Sequence, residues 1–203
     1  MTRRFAVTFD YLCPFARNAH EHLIAGLQDG ADWEVRFTPY SLAQGHVDDE
    51  ATPVWDRDEP LASPGVLALA AGITVRDRLP DRFLAAHGAL FAARHDHGQD
   101  IKDPEVVRHA LDRVEVDGAA VLRWVAQDDV LARLRAEHDA GVAEHEVWGV
   151  PTFIGSARAA FVRLLDRPQD HDRSASVTTV EQVLLLLDSQ VNLHEFKQTD
   201  LGI

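Results

Sequence analysis

Cysteine is almost absent from this sequence of 203 residues, in which Cys13 is the single thiol. One cysteine excludes an intramolecular disulfide, a cysteine-rich metal site and a disulfide framework, and it favours a reducing compartment. We therefore expect a cytoplasmic protein. If the thiol takes part in redox chemistry, a second molecule has to supply the other sulfur atom.

Positive charge and long apolar runs are also scarce. Lysine and arginine together number 20 against 33 aspartates and glutamates, which gives a net charge of −13. A field of that sign repels phosphate backbones and anionic lipid surfaces. No apolar run approaches the roughly 20 residues that a membrane span requires. We therefore expect neither nucleic acid nor a membrane as a partner.

Signatures of several other chemistries are missing. No serine lies in a Gly-x-Ser-x-Gly context, and no Walker or dinucleotide glycine pattern is present. The 11 histidines do not follow metal-ligand spacings. His20, for example, lies about 10 Å along a helix from Cys13, so we expect it to pack in the core. The sequence predicts no metal site and no tightly bound cofactor.

The first part of the chain has the hydrophobic patterns of an α/β protein. Apolar side chains alternate over 5–9 and again over 33–39, which predicts two strands, and a helical pattern occupies 14–28 between them. The segment 43–62 is rich in acidic residues and proline and predicts a loop. Four or five helices are predicted over 63–145, with breaks at glycine and proline residues.

The last part of the chain returns to strands and ends in a helix. The pattern predicts a strand at 148–154, an antiparallel partner at 159–165 and a polar loop at 168–176. A Ser/Thr-x-x-Glu capping box at 178–181 predicts the start of a helix that runs to about 191. This helix is apolar nearly all round, so we expect it to be buried. The order of elements is β-α-β, a helical block, then β-β-α.

Cys13 follows the first predicted strand and precedes Pro14, which suits the first turn of a helix. The free N–H groups and the positive dipole end at a helix N-terminus lower the pKa of a thiol and favour the reactive thiolate. Arg17 adds positive charge in this interpretation. Asp10 either relays a proton or caps the turn. The alternative is that Cys13 is a small buried hydrophobic residue.

Two segments resemble the active-site motifs of the DsbA-like oxidoreductases, a family with the thioredoxin fold. Residues 9–16, Phe-Asp-Tyr-Leu-Cys-Pro-Phe-Ala, resemble the family's strand, Asp-x-x-Cys-Pro-x-Cys and helix. Residues 147–153, Val-Trp-Gly-Val-Pro-Thr-Phe, resemble its Gly-Val-Pro-Thr-Phe motif, in which the proline is cis and lies against the active-site sulfur. The helical block between them is similar to the insertion that distinguishes this family from plain thioredoxins.

The resemblance implies an α/β, thioredoxin-like fold with an inserted all-helical subdomain. On this interpretation 1–203 is a single DsbA-like domain. Its thioredoxin-like core comprises about 1–42 and 146–203, and the helical insertion comprises about 63–145.

The resemblance also implies which residues form the site. Cys13 is the expected catalytic residue. The expected substrate contacts are Pro14, Phe15, Val150 and Pro151. The backbone of Val150 would pair with a substrate strand or with the peptide part of a small thiol. The expected surroundings are Asp10, Ala16, Arg17 and His87. His87 belongs to the block that covers the active site in the family, which suggests a substrate contact, and the alternative is a core histidine.

Ala16 stands where the family has its second cysteine. Dithiol oxidation, which ends by closing a Cys-x-x-Cys disulfide, is therefore excluded. A monothiol cycle remains, in which Cys13 forms a mixed disulfide with a substrate or a small thiol and an external thiol resolves it. The expected partner is a small thiol, glutathione or mycothiol, or a disulfide-bearing substrate, and a homodimer is left open.

Two other functions remain open. The kappa-class glutathione transferases and the 2-hydroxychromene-2-carboxylate isomerases share the fold, typically have a serine at the Cys13 position and use bound glutathione as the chemical agent. Residues 161–167 replace the Trp-Gly-x-Asp-Arg-like segment that these proteins would have after the cis-proline strands. The third function is binding without turnover. We expect Trp55 and Trp148 in the core, with an aromatic substrate cleft as the alternative.

Overall fold

A mixed β-sheet brings the two motif segments together. The computed structural model describes residues 2–48, 50–164, 166–168, 173–190 and 192. In these residues the sheet has four strands in the order β2-β1-β3-β4. The strands are β1 (Arg3–Phe9), β2 (Trp33–Pro39), β3 (Thr152–Ile154) and β4 (Ala159–Phe161). β1 runs parallel to β2 and antiparallel to β3, which places the segment after residue 9 beside the segment before residue 152.

Helices connect and cover the sheet. α1 (Pro14–Gln28) links β1 to β2, and α8 (Arg173–Ser189) packs against it. The predicted α/β order and thioredoxin-like arrangement are confirmed. The segment predicted as a loop at 43–62 contains a short helix, α2 (Leu42–Gly45), and two single 3₁₀ turns.

Five helices lie within 63–145 in the described residues, as the sequence predicts for the inserted block. They are α3 (Val66–Arg78), α4 (Pro80–His95), α5 (Pro104–Asp112), α6 (Gly118–Gln127) and α7 (Val130–His145). Aspartate side chains at 103, 117 and 129 cap the N-termini of α5, α6 and α7. α4 packs on α1, and α7 packs on β2.

A half-buried ion pair joins the inserted helices to the sheet. Arg76 of α3 donates to a carboxylate oxygen of Glu137 on α7 at 2.9 Å and to the backbone carbonyl of Phe37 in β2 at 2.8 Å. One guanidinium therefore holds three elements together. Because the pair is partly shielded from water, removing either partner would leave a charge without compensation and would destabilise the fold.

Helix α8 differs from its prediction at both its start and its faces. It begins at Arg173, inside the segment predicted as a polar loop, and the Thr178 hydroxyl donates to the Ser174 carbonyl within the helix. The predicted capping box is therefore wrong. The helix is also not buried all round, since Leu185 is 61% exposed and Leu186 is 45% exposed. Its buried stripe is narrower and consists of Ser176, Val180, Leu184 and Leu187.

Two kinds of feature are absent from the described residues. None of their helices is long and apolar enough to cross a membrane. They also contain no group of three or more histidine, cysteine, aspartate or glutamate side chains that could hold a metal ion.

Candidate functional site

Cys13 lies where the N-terminus of α1 meets the turn before β3. It is the N-cap residue of α1, and its Sγ accepts a hydrogen bond from the Ala16 N–H at 3.4 Å. The thiol donates to the carbonyl of Val150 at 3.3 Å. The Val150–Pro151 peptide bond is cis. The fold therefore brings the Cys13 sulfur against the Val150 carbonyl, directly before cis-Pro151, although the two segments are far apart in sequence.

The environment of Cys13 favours the protonated thiol. Burial raises the pKa of Cys13 above its ordinary value, because only 9% of the residue is exposed. The N–H groups of Ala16 and Phe15 act to lower that pKa, and so does the charge of Arg163, whereas Asp10 raises it. The helix N-terminus is present as predicted, but burial outweighs it. The predicted depression of the thiol pKa is therefore wrong.

Arg17 does not supply positive charge to the sulfur. Its guanidinium pairs with Glu21 at 3.0 Å and with Asp96. Arg167 joins the same cluster through Glu21 at 2.7 Å. The prediction for Arg17 is therefore wrong, because two carboxylates on α1 and at the end of α4 hold its charge away from Cys13.

The cation that acts on Cys13 is Arg163, which our sequence analysis did not identify. Arg163 follows β4, and its guanidinium carbon lies 5.3 Å from the ring centroid of Phe15 and 5.8 Å from that of Phe161. Trp148 continues this surface, with its ring centroid 4.5 Å from that of Phe161. We call Phe15, Trp148, Phe161 and Arg163 the aromatic rim. The only sequence signal was that 161–167 departs from the family pattern.

The exposure of residues at and near the aromatic rim overturns one prediction and shows where two other predicted residues lie. Trp148 is 70% exposed, so the prediction that it lies in the core is wrong. Pro14 is exposed and Phe15 is half-buried, so both lie at the surface beside the sulfur. Trp55 is half-buried elsewhere, 5.8 Å from the ring of His138, and its buried indole nitrogen has no hydrogen-bond partner among the described residues.

Asp10 fixes the turn that leads to Cys13. It is fully buried, and its two carboxylate oxygens accept from the N–H groups of Leu12 at 2.9 Å and Leu42 at 2.8 Å. Burial raises the pKa of Asp10 to about 6, against the effect of these two bonds. A side chain at Gly65, where φ is +75°, would come within 2.9 Å of the same carboxylate. Asp10 therefore ties the active-site turn to α2 and caps it.

His87 belongs to the core and not to the site surface. It is fully buried, with Nδ1 2.8 Å from the Tyr11 hydroxyl and Nε2 2.9 Å from His20. His20 Nε2 lies 3.1 Å from the Thr8 carbonyl. A substrate contact by His87 is therefore wrong, and the core interpretations of His87 and His20 are confirmed.

The described residues also form a cleft of about 320 Å³ beside the active-site turn. Its lining residues include Leu12, Gly65, Arg94 and Lys102. Cys13 does not line this cleft, so it is not the place where a reacting group meets the sulfur.

Comparisons with known proteins agree with this geometry. The family described as the DSBA-like thioredoxin domain matches residues 6–166. A comparison with curated proteins gives no match. Among solved structures, the oxidoreductase NmDsbA1 from N. meningitidis is similar with a TM-score of 0.60 and 16% identity, over 93% of this chain and 85% of that chain. MdbA, a thiol-disulfide oxidoreductase from Actinomyces oris, has a TM-score of 0.59 and 18% identity, over 88% and 79%.

A 2-hydroxychromene-2-carboxylate isomerase is similar to the same degree, with a TM-score of 0.58 and 15% identity, over 93% of this chain and 99% of that chain. These identities show a shared fold only. The family match is more specific, because it spans the Cys13 segment, the inserted helices and the strands around Pro151. The chain therefore belongs to the DsbA-like thioredoxin domain family.

Proposed function

We propose that this protein is a monothiol DsbA-like oxidoreductase that works by exchange between Cys13 and a small thiol or a disulfide-bearing substrate in the cytoplasm. One observation carries the proposal. Cys13 Sγ lies between the Ala16 N–H and the Val150 carbonyl beside cis-Pro151, while Ala16 in the first turn of α1 stands where the family has a second cysteine. The sulfur is therefore placed for exchange, but it has no internal thiol to complete a dithiol cycle.

The proposed cycle has two exchange steps. The Cys13 thiol loses its proton, and the thiolate attacks one sulfur of a disulfide, so that a bond from Cys13 forms and the disulfide bond breaks. The departing thiolate takes up a proton. A second thiol, ionised in turn, attacks the mixed disulfide, leaves with its bound half as a new disulfide and releases Cys13. Each step oxidises one sulfur and reduces another, so the cycle needs no further oxidant or reductant.

Deprotonation changes both hydrogen bonds of Cys13. The thiol donates to Val150 in the resting state, which stabilises the neutral form. The thiolate has no proton to donate, so the carbonyl of Val150 becomes available to an N–H of the partner. The Ala16 N–H then carries the stronger bond, because its acceptor is charged. Docking at Val150 and activation of Cys13 are in this way coupled.

The proposed contacts lie on two sides of Cys13. Pro14 and Phe15 border Cys13 on the helix side, and Pro151 borders it on the sheet side. Pro151 has no N–H group that would compete for the partner's backbone. We assign Cys13 the catalytic role, and we assign Pro14, Phe15, Val150 and Pro151 to binding of the small thiol or substrate.

The test is a mixed disulfide on Cys13. The protein is incubated separately with oxidised glutathione and with oxidised mycothiol, and intact mass is followed over time. We expect the mass of one thiol to be added by at least one of them, and the matching reduced thiol to remove it. Cys13→Ser should give no adduct. An inert wild-type protein would contradict the exchange function and leave binding without turnover.

One observation favours a second candidate, a thiol-dependent isomerase or transferase. Cys13 keeps its proton and donates a hydrogen bond, as a serine hydroxyl would, and the fold covers 99% of the similar isomerase chain. In that case Cys13 would only position a thiol that does the chemistry. Calorimetry would then show binding of reduced glutathione without any covalent adduct, and Cys13→Ser would keep that binding.

A further inference from the structure

We propose that Arg163 is the specificity-determining residue of this site and anchors a carboxylate of the thiol, or of its disulfide, that reacts with Cys13. The inference rests on the proposed function and adds the chemical class of the partner. It favours a carboxylate-bearing thiol of the glutathione type over an uncharged thiol such as mycothiol.

The geometry of Arg163 is the first support. Its guanidinium lies over Phe15, whose backbone N–H faces the Cys13 sulfur, and also contacts the ring of Phe161. A guanidinium held over aromatic rings by cation–π attraction still has N–H groups to offer, and these match a carboxylate in a bidentate pair. Arg163 is exposed at the rim, so a molecule bonded to Cys13 can reach it.

The charge distribution is the second support. Arg17 and Arg167 are neutralised by Glu21 and Asp96, and within the described ranges no carboxylate forms an ion pair with Arg163. The whole chain carries a net charge of −13, so its overall field repels an anion. An anionic thiol that reaches Cys13 therefore meets one uncompensated cation at the rim.

The third support is that the charge of Arg163 acts on the Cys13 sulfur, so the two groups lie within electrostatic range of each other. In the exchange step the Cys13 thiolate attacks the disulfide, forms the mixed disulfide and releases the other half as a thiolate. Arg163 takes no part in these bonds. It holds a carboxylate of the half that becomes attached to Cys13, and its effect is therefore specific to disulfides that carry one.

The experiment compares a disulfide that carries carboxylates with one that carries no charge. The second-order rate constants for adduct formation on Cys13 are measured with oxidised glutathione, which carries carboxylates, and with hydroxyethyl disulfide, which is neutral. Each constant is corrected for the thiolate fraction from a pH profile of the same variant. For Arg163→Gln we expect the ratio of the two constants to fall by about fivefold to tenfold, the range of one lost charge-assisted pair.

Two further variants isolate the effect. Arg158→Gln, an exposed arginine in the turn between β3 and β4, removes the same charge away from the rim and should leave the ratio unchanged. Arg163→Lys keeps the charge but not the bidentate geometry, so its ratio should lie between those of the wild type and Arg163→Gln.

Equal losses with both probes, or no loss, would overturn the role of Arg163 and leave the exchange function intact. Absence of any adduct in the wild-type protein with either probe would overturn both. Oxidised mycothiol provides a further arm, since we expect its rate constant, corrected for the thiolate fraction in the same way, to be unaffected by Arg163→Gln. A fall equal to that for oxidised glutathione would contradict recognition of a carboxylate.

Discussion

At the scale of single residues, the properties of Cys13 follow from two opposing effects. Charges and N–H groups at a helix N-terminus stabilise an anion by about 0.3–2 kcal/mol. Removing a charge from water costs several kcal/mol unless a partner compensates for it. Cys13 is buried, and the Val150 carbonyl lies against its sulfur. The protonated thiol is therefore favoured despite the helix.

This balance predicts the pH dependence of Cys13 alkylation. The rate with iodoacetamide, followed by intact mass, should have its midpoint above the pKa of about 8.5 of a free thiol. In Arg163→Gln the midpoint should rise further, because the charge that lowers the pKa of Cys13 is lost. Arg158→Gln is the control and should keep the wild-type midpoint. A wild-type midpoint below that of a free thiol would show that the helix N-terminus dominates after all.

Some site residues could be predicted and others could not, for identifiable reasons. Cys13 and Pro151 lie in local motifs that can be recognised from the sequence without the structure. Arg163 has no such motif, because its position depends on the return of the β3–β4 hairpin and on stacking against Phe15 of a distant helix. The direction of the pKa shift of Cys13 likewise depends on the burial of its side chain, which only the tertiary fold produces.

At the scale of elements, α8 shows the limit of an apolar pattern. Four consecutive leucines make every face of the segment look hydrophobic, yet a helix on the outside of a fold buries only the stripe that meets its neighbour. Here that neighbour is α1, and Leu184 and Leu187 lie in the stripe while Leu185 and Leu186 do not. The boundaries of α8 were also missed, because its first residues are polar.

Single leucines of α8 should therefore differ sharply in their contribution to the free energy of unfolding. Leu184→Ala should lower it by about 3 kcal/mol, as expected for a buried leucine. Leu185→Ala is the matched control one position away and should change it by about 0.5 kcal/mol or less. Urea unfolding measures both. Similar losses at the two positions would mean that something covers the Leu185 face in solution.

At the scale of the whole molecule, the core contains a chain of hydrogen bonds between buried polar groups. The His20 Nε2–H donates to the Thr8 carbonyl, which leaves Nδ1 to accept from His87 Nε2–H, and His87 Nδ1 then accepts from the Tyr11 hydroxyl. Both rings are neutral in this arrangement. Burial lowers the pKa of His20 to about 4 and places that of His87 well below the ordinary value.

Acid should consequently destabilise the fold at pH values above those at which exposed carboxylates are protonated. Between pH 6.5 and about 4 an unfolded chain protonates these histidines while the folded core does not, so the free energy of unfolding decreases as pH falls. His20 alone accounts for about 3 kcal/mol of this loss. Urea titrations at several pH values measure it. Unchanged stability down to pH 4 would contradict the conclusion that the buried His20 and His87 are neutral in the folded state.

Asp10 should affect the pH dependence of the free energy of unfolding in the opposite direction. Its folded pKa of about 6 exceeds its ordinary value of 3.8, so it favours the folded state progressively more as pH falls through that interval. Asp10→Asn does not titrate. The variant should therefore lose stability more steeply than the wild type between pH 6 and pH 4, even if its stability at neutral pH is also lower.

The alanine at position 16 has a consequence for how the protein would equilibrate with small thiols and disulfides. When two neighbouring cysteines equilibrate with a small disulfide, one disulfide yields two thiols, so the outcome shifts when the thiol pool is diluted. Exchange at Cys13 alone consumes one disulfide and yields one thiol. Its position of equilibrium depends on the ratio of the two and not on their total concentration. The proposed chemistry would make the modified fraction of this protein a measure of that ratio.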